Sequence, residues 1–130
     1  FDASVKMIEI ASIETKVTWW VADFKSFRAT KQYDGIWANF SLLHAPKKEI
    51  FQLIQTIFKS LKPHGLFSLG LKLGTGEKRD KIGRQYSYFE EHEIRNILLK
   101  EEFYPISHHL GEAKGLDGES ANFIIILSHA

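Results

Sequence analysis

Apolar residues recur at two different spacings along this chain. Three stretches carry one every three or four positions, the spacing of one face of an α-helix. They are residues 4–13, about 46–61 and about 90–101. The second is the strongest, because Pro46 suits a first helical turn, where its missing N–H would be unsatisfied anyway. Lys62-Pro63-His64-Gly65 ends it. The pattern therefore predicts three helices.

Five shorter stretches are rich in β-branched and aromatic residues and predict strands. They are residues 17–21, 36–40, 66–73, 103–109 and 122–128. Strands that alternate with helices form a largely parallel sheet covered on both faces. The last two strands are separated only by a turn at 111–120, which predicts an antiparallel hairpin. We therefore predict an α/β, Rossmann-like fold with a mostly parallel sheet, helices on both faces and an antiparallel carboxy-terminal hairpin. Trp19, Trp20 and Trp37 are interpreted as core residues.

The composition supports one compact domain over residues 1–130. Apolar residues make up 44% of the chain and include ten Phe, enough for a substantial core. The formal net charge is only +1, so the sequence lacks the excess of basic residues that is typical of nucleic-acid-binding proteins. No apolar stretch is long enough to span a bilayer. The chain has no Cys, which excludes disulfides and fits a reducing compartment. We expect a cytoplasmic protein, and the histidine spacing predicts no metal site.

Candidate ligand-binding residues follow the ends of the predicted strands, because open α/β sheets bind ligands beyond the carboxyl ends of their strands. These positions are Asp2, Asp23, 39–44 and 72–76. The segments around them resemble motifs of the class I S-adenosylmethionine (SAM)-dependent methyltransferases in order and spacing. The matching segments are residues 1–11, Val21-Ala22-Asp23-Phe24, residues 33–44 and Leu61-Lys62-Pro63-His64-Gly65-Leu66. His64 departs from the usual form of the last motif, at a place far from the expected cofactor.

The resemblance implies SAM as the cofactor and six residues that bind it. They are Asp2, Ala3, Asp23, Phe24, Asn39 and Ser41. Asp2 would accept hydrogen bonds from both ribose hydroxyls, while Asp23 and Phe24 would contact the adenine amino group and ring. The chemistry agrees, because one carboxylate can accept both donors of a diol and adenine needs a flat wall. Each acid also has a plain interpretation: Asp2 as a helix-start acid and Asp23 as a loop acid.

The amino-terminal motif of these methyltransferases has no counterpart in this sequence. The family's glycine-rich turn would precede Phe1, and no Gly occurs before Gly35. The strand that lies between the family's second and fourth strands is also missing. We therefore expect a domain that is incomplete at its amino terminus and has an open sheet edge through which copies can self-associate. These residues alone are expected to be inactive and to bind SAM poorly.

Residues 74–87 form a polar, glycine-bearing stretch that predicts a loop. A small branch of bacterial methyltransferases carries a similar stretch. It is either a solvated loop or a substrate lid, in which Arg84 and Tyr86 would hold an acidic or phenolic substrate. His44 either caps the next helix or lines the methyl-transfer pocket. His44, Arg84 and Tyr86 are the candidate catalytic residues.

The sequence favours methyl transfer from SAM to an unidentified small molecule, without nucleic acid or membrane as a partner. Two alternatives remain open. A nicotinamide-dependent oxidoreductase would use Asp2 equally well for an NAD ribose, although the hairpin ending argues against it. A catalytically inactive, methyltransferase-like domain would act through protein contacts.

Overall fold

The computed structural model describes residues 1–28 and 33–130. The three predicted helices are confirmed as α1 (Val5–Ala11), α2 (Lys47–Ser60) and α3 (Glu91–Lys100), and a short 3-10 helix spans Leu42–His44. The strands are β1 (Tyr33–Asn39), β2 (Leu61–Lys72), β3 (Glu77–Arg79), β4 (Gln85–Ser87), β5 (Tyr104–Lys114) and β6 (Ser120–His129). Four of them, β1, β2, β5 and β6, correspond to predicted strands. β3 and β4 lie in the predicted loop.

The main sheet has the strand order β1-β2-β6-β5. β1 and β2 are parallel, whereas β2–β6 and β6–β5 are antiparallel. The predicted carboxy-terminal hairpin is therefore confirmed, but the prediction of a mostly parallel sheet is wrong. The reason is the position of β6, which lies between β2 and β5 and runs against both. The fold is mixed α/β and Rossmann-like only in general outline.

The predicted strand at 17–21 is also wrong. The segment forms a single parallel bridge between Asp2 and Val21. The N–H of Ala22 donates to the Asp2 carbonyl at 3.0 Å, and the Asp2 N–H donates to the Trp20 carbonyl at 3.4 Å. Trp20 is 43% exposed, so it is not a core residue. A buried strand needs partners on its edges, and within the described ranges this segment has only that one bridge.

Helices α2 and α3 lie side by side on one face of the sheet. An ion pair of 2.9 Å joins Lys47 to Glu93, and the Lys100 ammonium lies 5.1 Å from the centre of the Phe51 ring. The buried core lies beneath these helices. It includes Ile50, Ile54, Phe67, Leu69, Leu71, Ile94, Leu98, Ile124 and Ile126.

The opposite face of the sheet is open in the described part of the chain. Trp37 is 79% exposed, which contradicts its prediction as a core residue, and Leu66 is exposed beside it. Helix α1 buries no residue. The prediction of helices on both faces therefore fails for residues 1–28 and 33–130. Within these ranges, no helix is long and apolar enough to cross a membrane.

Candidate functional site

The chain turns sharply where β1 ends, at the carboxyl edge of the parallel pair β1 and β2. Phe40 has a left-handed φ of 60°, and its N–H donates to the Gly70 carbonyl at 2.9 Å. A side chain at Gly70 would approach the Cα of Asn39 to 3.0 Å, so glycine permits the close contact of the two strands here. Strained backbone of this kind clusters at functional sites.

The segment from Asn39 to Leu43, called here the exit segment, borders two cavities. Asn39, Ser41 and Leu42 line the first, whereas Phe40 and Leu43 line the second. We call the first the edge cavity, because it follows the free edge of β1. The second is called the hairpin cavity, because it adjoins the β3–β4 hairpin. One short loop therefore contacts two separate spaces.

The edge cavity has a volume of about 330 Å³. One wall is the unpaired side of β1, and the other contains Phe1, Trp20 and Phe27. It lies where the sequence predicts a gap between strands. Three of the predicted cofactor residues, Phe24, Asn39 and Ser41, line it. The Asn39 side-chain oxygen is held by the Ser68 hydroxyl, which donates to it at 2.9 Å.

The other three predicted cofactor residues are exposed and lie beside the edge cavity. The Asp2–Val21 bridge brings Asp2 and Ala3 close to the segment that ends in Asp23. Asp2 Oδ1 accepts the Ser4 N–H at 2.7 Å, and Asp23 Oδ1 accepts the Ser26 N–H at 2.8 Å. Both of these hydrogen bonds go to Oδ1, and each carboxylate has acceptor capacity left for a ligand.

The environment of Asp23 favours its charged form. Hydrogen bonds from the backbone and then the side chain of Ser26 hold the pKa of Asp23 below its ordinary value. These contacts are compatible with the plain interpretation of Asp2 as a helix-start acid and Asp23 as a loop acid. The ribose and adenine roles of the two carboxylates stay predictions.

The predicted loop at 74–87 contains a folded hairpin. β3 and β4 pair antiparallel, from Glu77 opposite Ser87 to Arg79 opposite Gln85. Its base is attached to the start of α2: Glu77 Oε1 accepts the Lys47 N–H at 2.7 Å, and the Ser87 hydroxyl donates to the Ala45 carbonyl at 2.7 Å. A carboxylate at a helix N-terminus satisfies an otherwise unpaired N–H. The prediction of a loop is therefore wrong where β3 and β4 form, and the substrate lid stays a prediction.

The turn of the hairpin is closed by Asp80 and Arg84. Asp80 Oδ1 accepts the Arg84 N–H at 2.8 Å, and Oδ2 accepts the guanidinium Nε at 2.7 Å. Burial raises the pKa of Asp80, but the hydrogen bonds and charge of Arg84 outweigh it, so the pKa is lowered overall. The Arg84 guanidinium is thus engaged within the hairpin itself.

The hairpin brings the three candidate catalytic residues together around Tyr86. The Tyr86 ring is buried, and its centre lies 4.7 Å from that of His44 and 5.3 Å from the Arg84 guanidinium carbon. Burial raises the pKa of Tyr86, although the Arg84 charge opposes this. His44 Nδ1 lies 2.8 Å from the Gln85 carbonyl. Since a carbonyl only accepts, Nδ1 carries a proton, and a neutral His44 ring has its lone pair on Nε2.

The hairpin cavity has a volume of about 210 Å³. It is lined by aromatic rings, two lysines and small residues: Phe40, Leu43, Lys72, Tyr86, Ala113, Lys114, Gly115, Ala121 and Phe123. Among these, the sequence singled out Tyr86 and, within the strand ends 39–44 and 72–76, Phe40, Leu43 and Lys72. Lys114 and Phe123 were missed, because only the antiparallel pairing of β5 and β6 brings them to this edge.

Several solved structures similar to this chain are SAM-dependent methyltransferases. A SAM-dependent methyltransferase from Methanosarcina mazei is 15% identical, with a TM-score of 0.78 over 98% of this chain and 79% of its own. The 1,6-didemethyltoxoflavin-N1-methyltransferase of Burkholderia thailandensis, solved with S-adenosylhomocysteine (SAH), is 18% identical, with a TM-score of 0.76 over 93% of this chain and 56% of its own.

The chain has the fold of the class I SAM-dependent methyltransferases.

This methyltransferase fold does not by itself decide the reaction. The cyclase SpnF is also similar, at 14% identity and a TM-score of 0.66 over 95% of this chain and 59% of its own. No family model matches the sequence. No curated protein matches it either. At these identities the similarity establishes the fold alone. The chemistry depends on the residues that line the two cavities.

Proposed function

We propose that this chain is part of an enzyme that transfers a methyl group from SAM to a small molecule, in a cytoplasmic setting. One observation carries the proposal. The exit segment, at the carboxyl ends of the parallel strands β1 and β2, borders both the edge cavity and the hairpin cavity. A transferase needs such an arrangement, because it must hold donor and acceptor on either side of one short transfer path.

The edge cavity suits the donor. Asp2 and Asp23 each have a carboxylate oxygen available for the ribose diol and the adenine amino group, with Ala3 beside Asp2. Phe24 is half-buried on the cavity wall and offers a surface for the adenine ring. Asn39 and Ser41 would contact the methionine part. When bound, SAM supplies a sulfonium methyl that is already electrophilic.

The residues of this chain then have mainly a positioning role. The strained backbone at Phe40 and its contact with Gly70 hold the exit segment beside the two cavities. Of the three candidate catalytic residues, Tyr86 lines the hairpin cavity, whereas His44 and Arg84 contact the Tyr86 ring and line neither cavity. The hairpin cavity, across Phe40, suits the acceptor.

The two alternative functions would use the described residues differently. A nicotinamide-dependent oxidoreductase would also use Asp2, but the antiparallel ending of the sheet and the similar structures do not favour it. A catalytically inactive domain that associates through the free edge of β1 would keep the fold and need no SAM.

Calorimetry on the full-length protein with SAM, SAH and NAD separates these possibilities. The methyltransferase proposal expects saturable binding of SAM and SAH and no binding of NAD. Binding of NAD alone would refute it in favour of the oxidoreductase. A folded protein that binds none of the three would leave the inactive domain, and sedimentation would then test its self-association.

A further inference from the structure

The hairpin cavity is lined by two lysines that form no ion pair in the described residues. Lys72 ends β2 and Lys114 ends β5, and both line the cavity. Within residues 1–28 and 33–130, neither ammonium forms an ion pair within 4.0 Å. Asp117 Oδ1 and Lys72 Nζ both approach the backbone at Gly115, but they form no ion pair, and Asp117 Oδ1 accepts the Glu119 N–H at 3.2 Å. An anionic ligand would find both charges available here.

The Lys72 ammonium is also held in place. It lies 4.2 Å from the centre of the Tyr86 ring, within the range of a cation–π interaction. Tyr86 itself is buried and is contacted by His44 and Arg84, while Asp80 holds Arg84. Arg84 thus acts as a positioning residue for the ring under Lys72. It does not need to contact a substrate itself.

The remaining walls suit a single flat ring. Phe40 and Phe123 meet edge to face, with centres 5.4 Å apart and planes at 88°. Small residues leave the space between the aromatic side chains and the lysines open. At Gly115, a Cβ would come within 2.6 Å of Asp117 Oδ1 and 3.4 Å of Lys72 Nζ. The volume of about 210 Å³ lies below the roughly 300–1,000 Å³ of pockets for drug-sized ligands.

We propose that the hairpin cavity binds a monocyclic aromatic carboxylate, with its ring between Phe40, Tyr86 and Phe123 and its carboxylate at Lys72 and Lys114. This inference rests on the proposed methyl transfer and names the acceptor class. The ring is anchored through its charge at the far end of the cavity. A hydroxyl or amino substituent then faces Phe40 and the exit segment, which also borders the proposed donor cavity.

The test compares hydroxy- and aminobenzoates with the corresponding neutral benzamides. Binding to the full-length protein is measured by calorimetry or ligand-observed NMR, with and without SAH. The carboxylates should bind at least about tenfold more tightly than the amides, as a charge-assisted contact predicts. Lys72→Met should remove that preference and leave SAH affinity unchanged, whereas Lys72→Arg should retain it.

Lys78 offers a matched control on the same hairpin. Its ammonium lies 5.0 Å from the Tyr88 ring, but it does not line the hairpin cavity. Lys78→Met should therefore change no affinity. Equal binding of acids and amides, or full carboxylate binding by a folded Lys72→Met protein, overturns the proposal. Carboxylate preference in a protein that fails to bind SAH would refute methyl transfer and retain the anion site.

Discussion

Asp2 provides the sharpest test of the donor site, because the structure separates its two roles. Oδ1 accepts the Ser4 N–H at 2.7 Å, next to the N-cap of α1, and Oδ2 is the oxygen left for a ribose hydroxyl. Asp2→Asn retains an oxygen for Ser4 and replaces the second acceptor with an NH₂ donor. The substitution therefore removes ligand acceptance while preserving the local turn. Asp2→Ala would remove both.

The expected loss is that of a charge-assisted hydrogen bond, about 1.5–3 kcal/mol. This corresponds to a Kd for SAH raised roughly 10- to 150-fold in the full-length protein, measured by calorimetry. Thermal unfolding should hardly change. The matched control is Asp34→Asn at the opposite end of β1, where the carboxylate forms only an exposed 2.7 Å ion pair with Lys62. Unchanged SAH affinity in a folded Asp2→Asn protein would refute the ribose assignment.

Three further predictions concern the hairpin. Glu77→Ala should lower the free energy of unfolding by about 0.5–2 kcal/mol, because the side chain caps α2 by accepting the Lys47 N–H, and denaturant titration would detect it; an unchanged midpoint would contradict the capping role. Asp80 has a lowered pKa when folded, so its stabilisation is present above its unfolded pKa of about 3.9 and is lost as the pH falls through the folded value. Asp80→Asn should therefore flatten the acid side of the stability profile, and a slope equal to the wild type would count against this. Arg84→Ala should reduce turnover with little change in SAH affinity, and equal losses of both would place the hairpin in the donor site.

The helices and the last two strands could be predicted from the sequence because their signals are local. Ile50, Ile54 and Ile57 are spaced for one helical face, and all three are buried in α2. The short connection between β5 and β6 similarly allows only a hairpin. The order of the strand-end motifs indicated the methyltransferase fold, and the candidates at the end of β1 indeed line a cavity. The donor roles of Asp2 and Asp23 remain predictions.

The tertiary structure decided everything that depends on a neighbour distant in sequence. Residues 17–21 have strand composition, but a strand exists only where another strand pairs with it, and the described residues supply one bridge. Similarly, the composition of residues 74–87 is typical of a solvated loop. Their structure depends on two contacts distant in sequence: Glu77 with the start of α2, 30 positions away, and Gln85 with His44, 41 positions away. The cavity with Lys72 and Lys114 depends on β6 inserting between their two strands. The type of each residue determines what its side chain can bind, whereas the strand order determines which side chains come into contact.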